Sequence, residues 1–261
     1  MSFFVSQKTL ERLEWSQVLD LVQKHARTPG GRNKFTWPSA QQLFEPTRSG
    51  VEERLTETAE ARSILVGAAV PPLLDVAVPT RALARARKDA VLSARELLDL
   101  ALFCTSARTT RGFLEHHAES APKLADLGSL LVEHRDLESD IEASFERSGE
   151  VKDSASPALA SARARARNLA SEIQAKIEQF LGSSDVSPHL SDSYYTIRND
   201  RFVLPVRTDA RGAIRGIVHD ASNTGQTLFI EPEALVELNN RHKRAEIEIE
   251  QETLAVMRAL S

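Results

Sequence analysis

At 261 residues the chain has room for one large domain or two smaller ones with a hydrophobic core. It is 41% apolar, 27% charged and carries a formal charge of -4. That balance is ordinary for a soluble globular protein, no apolar run approaches the roughly 18 residues needed to span a bilayer, and there is no overall basic field, so any nucleic-acid contact must come from a local patch. A single cysteine, Cys104, excludes an internal disulfide framework and a thiolate zinc site.

Ala, Leu, Glu and Arg are abundant and favour helices. Leu10, Leu13, Val18, Leu21 and Val22 recur near helical spacing, and Thr28–Gly31 is expected to end that element. A loop with Pro38 and Pro46 follows, then a second amphipathic helix carrying Val51, Leu55, Thr58, Ala59 and Leu65. Pro71 and Pro72 break the pattern. Ser93 with Glu96 forms a capping box for a third helix bearing Leu97, Leu98, Ala101 and Leu102. Cys104 ends the apolar run from Leu100, so a buried thiol is expected. Further helical pieces run from about Pro122 to Leu131 and from Asp136 to Arg147.

Ser156 and Pro157 open a long helix as N-cap and first helical residue. Leu159, Ala162, Ala166, Leu169, Ile173 and Phe180 give it a heptad-like seam, interrupted by Lys176. After Gly182 the character changes. Tyr194–Arg198 and Arg201–Val206 flank a turn at Asn199 and Asp200, and Ile214–His219 and Gln226–Ile230 are further strands around the turn Ser222–Gly225. Pro232 ends the β element. Leu235, Leu238, Ala245, Ile249 and Val256 mark a last helix that is still running near Ser261, which leads us to expect a piece of a longer protein. The predicted class is mainly α: a helical core over 1–150, then long helices over 151–261 with a small antiparallel β element at about 194–231.

No GxxxxGK[ST] phosphate loop is present, since no glycine precedes a lysine. His116 and His117 beside Glu115 read as an exposed helix end rather than a metal site. His219, Asp220 and Ser222 have the residue types of a hydrolase triad. A turn in which Asp220 and Ser222 bond local backbone is the preferred reading, because triad members meet through the fold and need an oxyanion hole. Arg198, Arg201, Arg207, Arg211 and Arg215 all fall in the β element, opposed only by Asp200 and Asp209. Two readings stand open: the planar guanidinium forks contact phosphates, or they pair with acidic residues of the neighbouring helices. Tyr194, Tyr195 and Phe202 could stack on bases, but core packing is preferred. Arg163, Arg165 and Arg167 on the long helix read as a solvated face.

Several strings then resemble one family. TIRNDRFVLPV (196–206), HDASNTGQTLFIEP (219–232), VELNN (236–240) and GEVKDSASPAL (149–159) are similar to signatures of the second bacterial branch of the MutS family. Leu13–Trp15 with Thr28 and Gly31, and ETAEAR (57–62), fit its opening helices; the turn Asn223–Gln226 departs from it, where smaller residues are expected. The resemblance implies a homodimeric ATPase, often with an endonuclease domain, that suppresses recombination through branched DNA or splits collided ribosomes. This chain matches the core, lever and clamp base. ATP and Mg are expected only in the ATPase domain that it does not include, so it is expected to hydrolyse nothing alone. The implied partners are branched DNA or ribosomal RNA, with no membrane and a cytoplasmic location. Contacts are expected at Arg201, Arg207, Arg211 and Arg215, with Arg198 beside them. The alternative is a dimerisation or lever module that makes no direct nucleic-acid contact.

Overall fold

The computed structural model describes residues 5–36, 43–67 and 69–261. It is mainly α with a small antiparallel sheet, and it divides into two compact units. The first holds residues up to Glu150 together with Leu260 and Ser261. The second runs from Val151 to Ala259. Among the described residues no helix is long and apolar enough to cross a membrane.

The first unit is built from α1 (Gln7–Arg12), α2 (Trp15–Gln23), α3 (Pro29–Lys34), α4 (Arg48–Val66), α5 (Thr80–Ala86), α6 (Ala94–His116), α7 (Pro122–Ser129) and α8 (Arg135–Ser144). Its centre is α6, which starts at the predicted capping box: Ser93 Oγ accepts from Glu96 N–H, and Glu96 accepts from Ser93 N–H at 2.8 Å. Leu97, Leu100, Ala101 and Cys104 line its buried face. Both α7 and α8 pack on α6. Burial and then the nearby Glu138 charge push the Cys104 thiol up, as suits a core residue rather than a nucleophile. Glu138 of α8 is itself buried. It accepts from Arg108 Nη2 at 2.6 Å, Arg108 Nε at 3.1 Å and Thr105 Oγ1 at 2.7 Å.

Three expectations for this unit need correction. The first periodic stretch is two helices rather than one, because Glu14 adopts a left-handed conformation (φ 51°) that breaks the hydrogen-bond ladder. Thr28–Gly31 begins a helix instead of ending one. Thr28 Oγ1 accepts from Gly31 N–H at 3.0 Å, and Pro29 occupies the first turn, where its missing N–H costs nothing. The apolar stripe of α4 is not core: α4 buries only Ile64, while Leu55 is 63% exposed and Val51 and Leu65 are also open. Its opposite side carries Glu60, whose carboxylate accepts the free N–H groups of Lys123 and Leu124 and so caps α7 from outside. Helix α5 forms with no side-chain cap, so no local signal in the sequence marks it. Of the expected loop, Pro38 lies outside the described residues, while Pro46 stands in irregular backbone before α4.

The second unit consists of α9 (Pro157–Leu181), β1 (Thr196–Arg198), β2 (Arg201–Arg207), β3 (Gly216–Ala221), β4 (Thr227–Pro232) and α10 (Glu233–Ala259). Ser156 caps α9 and Pro157 opens it, as read from the sequence. The buried seam is Leu159, Ala162, Ala166, Leu169, Ile173 and Ile177, so the spacing steps from Ile173 to Ile177 past exposed Lys176. That seam packs along α10 and, at its far end, under the sheet. The sheet order is β1-β2-β4-β3, all antiparallel. Asn199 and Asp200 both have positive φ (51° and 59°), which gives the two-residue turn whose twist matches a hairpin. Phe202, Leu204, Val206 and Ile230 cover Ile173 and Ile177. Gly216 is obligatory where β3 meets β4, since a Cβ there would lie 2.1 Å from the Glu231 carbonyl oxygen.

Candidate nucleic-acid interface

The sheet is short and strongly curled. Although β1 and β3 are its two edges, Asn199 Nδ2 donates to the His219 carbonyl at 3.1 Å, and Arg198 Nε lies 3.2 Å from Asp220 Oδ2. Curling is what brings Arg198 to Asp220 across the two edges. Arg198 crosses the outer face with its guanidinium 4.4 Å from the Phe229 ring centroid, where cation–π attraction adds to the ion pair. Arg201 turns towards the second unit's buried charge: Nη1 donates to Asn240 Oδ1 at 2.6 Å and lies 3.5 Å from Glu231 Oε1. Arg207 grips Asp209 through Nε, at 3.0 Å, and through Nη2, and this pairing holds the Asp209 carboxyl below the usual carboxylate range. Arg211 and Arg215 differ. Both are exposed in the loop joining β2 to β3, and among the described residues neither has an acidic partner. The pairing reading thus needs correction in its partners: Asp220, Glu231 and Asp209 all belong to the β element and not to the neighbouring helices, while Asp200, expected to oppose the arginines, pairs with Lys243 of α10.

The aromatic residues divide similarly. Phe202 is buried and stacks against Tyr195 (centroids 5.7 Å apart), whose hydroxyl accepts from Gln174. Tyr194 remains exposed. No triad assembles around Ser222. Its Oγ accepts from Thr227 N–H at 3.1 Å within the β3–β4 turn, Asp220 Oδ1 accepts from Ala221 N–H, and His219 Nε2 lies 2.6 Å from Glu231 Oε2. At the end of α6, His117 Nδ1 bonds the Phe113 carbonyl, and among the described residues no three potential ligands come together for a metal. Arg163 and Arg167 pair with Asp153, and Arg165 pairs with Glu248 of α10.

Sequence reading missed two features. One is a cleft of about 340 Å³ between α9 and α10, where Arg165, Arg241 and Arg244 face Glu172 and Glu248 and the charges largely cancel. The other is a polar cluster around Glu231 and Asn239, both 1% exposed. Its signal was in plain view: two adjacent asparagines, poor helix formers, in the periodic stretch of a helix.

No protein-family model matches the chain. It is nevertheless similar along most of its length to several curated proteins. It is 38% identical over 257 residues to an endonuclease MutS2 of Anaeromyxobacter sp. (strain Fw109-5), an alignment covering 98% of this chain and 31% of that protein. With an endonuclease MutS2 of Bacillus velezensis it shares 34% over 261 residues, covering 98% and 33%. With that of Geobacillus kaustophilus it shares 37% over 249 residues, covering 94% and 31%. The chain thus spans about a third of the length of the curated relatives it matches.

Proposed function

The chain is a MutS2-type segment, and on that premise we propose that it is the lever and clamp base of a nucleic-acid-gripping protein. Its contact is the β2–β3 loop, which meets the phosphates of branched DNA or of ribosomal RNA through Arg211 and Arg215. The observation that carries this reading is the difference among the five arginines of the sheet. Arg198, Arg201 and Arg207 are held by Asp220, Glu231 and Asp209, while Arg211 and Arg215 stand exposed without an acidic partner among the described residues. Unneutralised, exposed guanidinium groups suit backbone phosphates, which position a protein without reading sequence. In the whole protein, a homodimer in the cytoplasm, ATP bound with Mg outside this segment sets the position of α9 and α10, and these carry the loop.

A lever or dimerisation role without direct contact is the second reading. The observation favouring it is the long α9–α10 seam together with the three arginines already paired internally.

Binding of the chain to four-way-junction DNA, plain duplex and ribosomes across a salt series separates the two. Each phosphate contact removed should lower the log–log salt slope on duplex DNA by about 0.9. The double variant Arg211→Ala, Arg215→Ala is expected to lower the slope by nearly twice that. Arg207→Ala should leave it close to wild type. A slope unchanged in the double variant would exclude the contact and leave the lever reading.

A further inference from the structure

Glu231 is among the most buried polar side chains described, and the proposed contact makes no use of it. Its two oxygens are shared among three elements. Oε2 lies 2.6 Å from Nε2 of His219, at the irregularity in the β3–β4 register between Val218 and Asp220. A bulge of this kind re-aims a side chain, here towards β4. Oε1 accepts from Asn239 Nδ2 of α10 at 2.8 Å and lies 3.5 Å from Arg201 Nη1 of β2.

Asn239 does a second thing. Its Oδ1 accepts from Phe202 N–H at 3.1 Å, and its Nδ2 donates to the Phe202 carbonyl, also at 3.1 Å. The reason lies in the strand register. In a hairpin closed by a two-residue turn, Arg198 and Arg201 exchange hydrogen bonds, so the main-chain groups of Phe202 point away from β1. They point to where β4 would continue. The β2–β4 ladder, however, stops at Leu204 and Ile230, and beyond it the chain reaches Pro232, which has no N–H, and enters α10. The Asn239 carboxamide, with one donor side and one acceptor side like a peptide group, takes the missing partner's place. Without those partners, an amide buried in a helix would cost free energy.

We infer that Asn239 and Glu231 form a latch that splices the start of α10 into the sheet, so that sheet and helix move as one body across the Pro232–Glu233 junction. Asn239 is a positioning residue for the β2–β3 loop. Delivery of helix motion to Arg211 and Arg215 rests on the proposed contact; the latch does not.

Hydrogen exchange on the full chain without nucleic acid tests the latch directly. In the wild type, the hydrogen-bonded amides of 201–207 and of 237–243 are expected to share one slow rate. In Asn239→Leu, which keeps the helix but removes both main-chain bonds, exchange across 201–207 should speed by about ten- to a hundred-fold, while 157–181 stays at the wild-type rate. Asn239→Ser leaves room for water and carries the same expectation if the leucine variant does not fold. Glu231→Gln keeps an acceptor for Asn239 and should speed 201–207 less than Asn239→Leu does. Unchanged exchange at 201–207, or equal acceleration in 157–181, would overturn the latch. Because no nucleic acid is present, either result is independent of whether the salt-slope experiment succeeds.

Discussion

Arg207 and Arg211 are four positions apart and chemically identical, yet Asp209 neutralises one and nothing described neutralises the other. Side-chain type indicates that phosphate could be bound; the neighbours decide whether the charge is available. Glu138 makes the same point in the core. The Arg108 guanidinium first, with the Thr105 hydroxyl, holds its carboxyl below the usual carboxylate range against the opposing effect of burial. A depressed acid contributes stability that is present above its unfolded pKa of about 4.3 and is lost as pH falls through the folded value. Glu138→Gln is therefore expected to cost about 2 kcal/mol at pH 7, because it leaves Arg108 unpaired. The gap between variant and wild type should narrow as pH falls from the unfolded value through the depressed folded one. Urea titrations at pH 7 and at lower pH check this; a gap that stays constant with pH would contradict it.

At the scale of elements, hydrophobic period identified α9 and α10 correctly, because both bury one stripe against each other and the sheet. Ile173 sits where the seam meets the sheet and is fully buried. Truncating it to Ala is expected to cost about 3 kcal/mol, lost transfer energy plus a cavity between α9, β2 and β4. The denaturation midpoint should fall with the slope unchanged. A loss under 1 kcal/mol would mean that the seam closes around the gap. The same reasoning failed for α4. Its stripe of Val51, Leu55 and Leu65 has the right spacing, but α4 uses other residues for its contacts, Glu60 and Glu53 meeting α7 through polar bonds. Period marks which side can be buried; it does not supply the surface that buries it. Turn chemistry was more reliable at Asn199–Asp200 and at Ser93, where the signal is a local hydrogen bond or φ that needs no distant partner.

At the scale of the whole molecule, the second unit has its own core, formed by α9, α10 and the sheet. Residues 151–259 made alone are expected to unfold in one cooperative transition, with the sheet amides protected as in the full chain; a broad, non-cooperative melt would refute this. The net charge of -4 says little about such a unit's partners, since the exposed cations of one loop can act locally within about a Debye length of 8–10 Å. What the sequence determined by itself was set by near neighbours: the long helices and most of their seam, the hairpin turn, the capping box, the absence of a phosphate loop, and the strings that mark the family. What only the tertiary structure decided was which charges are spent. The pairing of Arg201 with Glu231 and the bridging of β2 by Asn239 depend on residues that the fold brings together from up to 37 positions apart, and the exposure of Arg211 and Arg215 without an acidic partner among the described residues depends on the same surroundings. No local pattern encodes that distance, because ion pairing and burial are properties of the surroundings rather than of the residue.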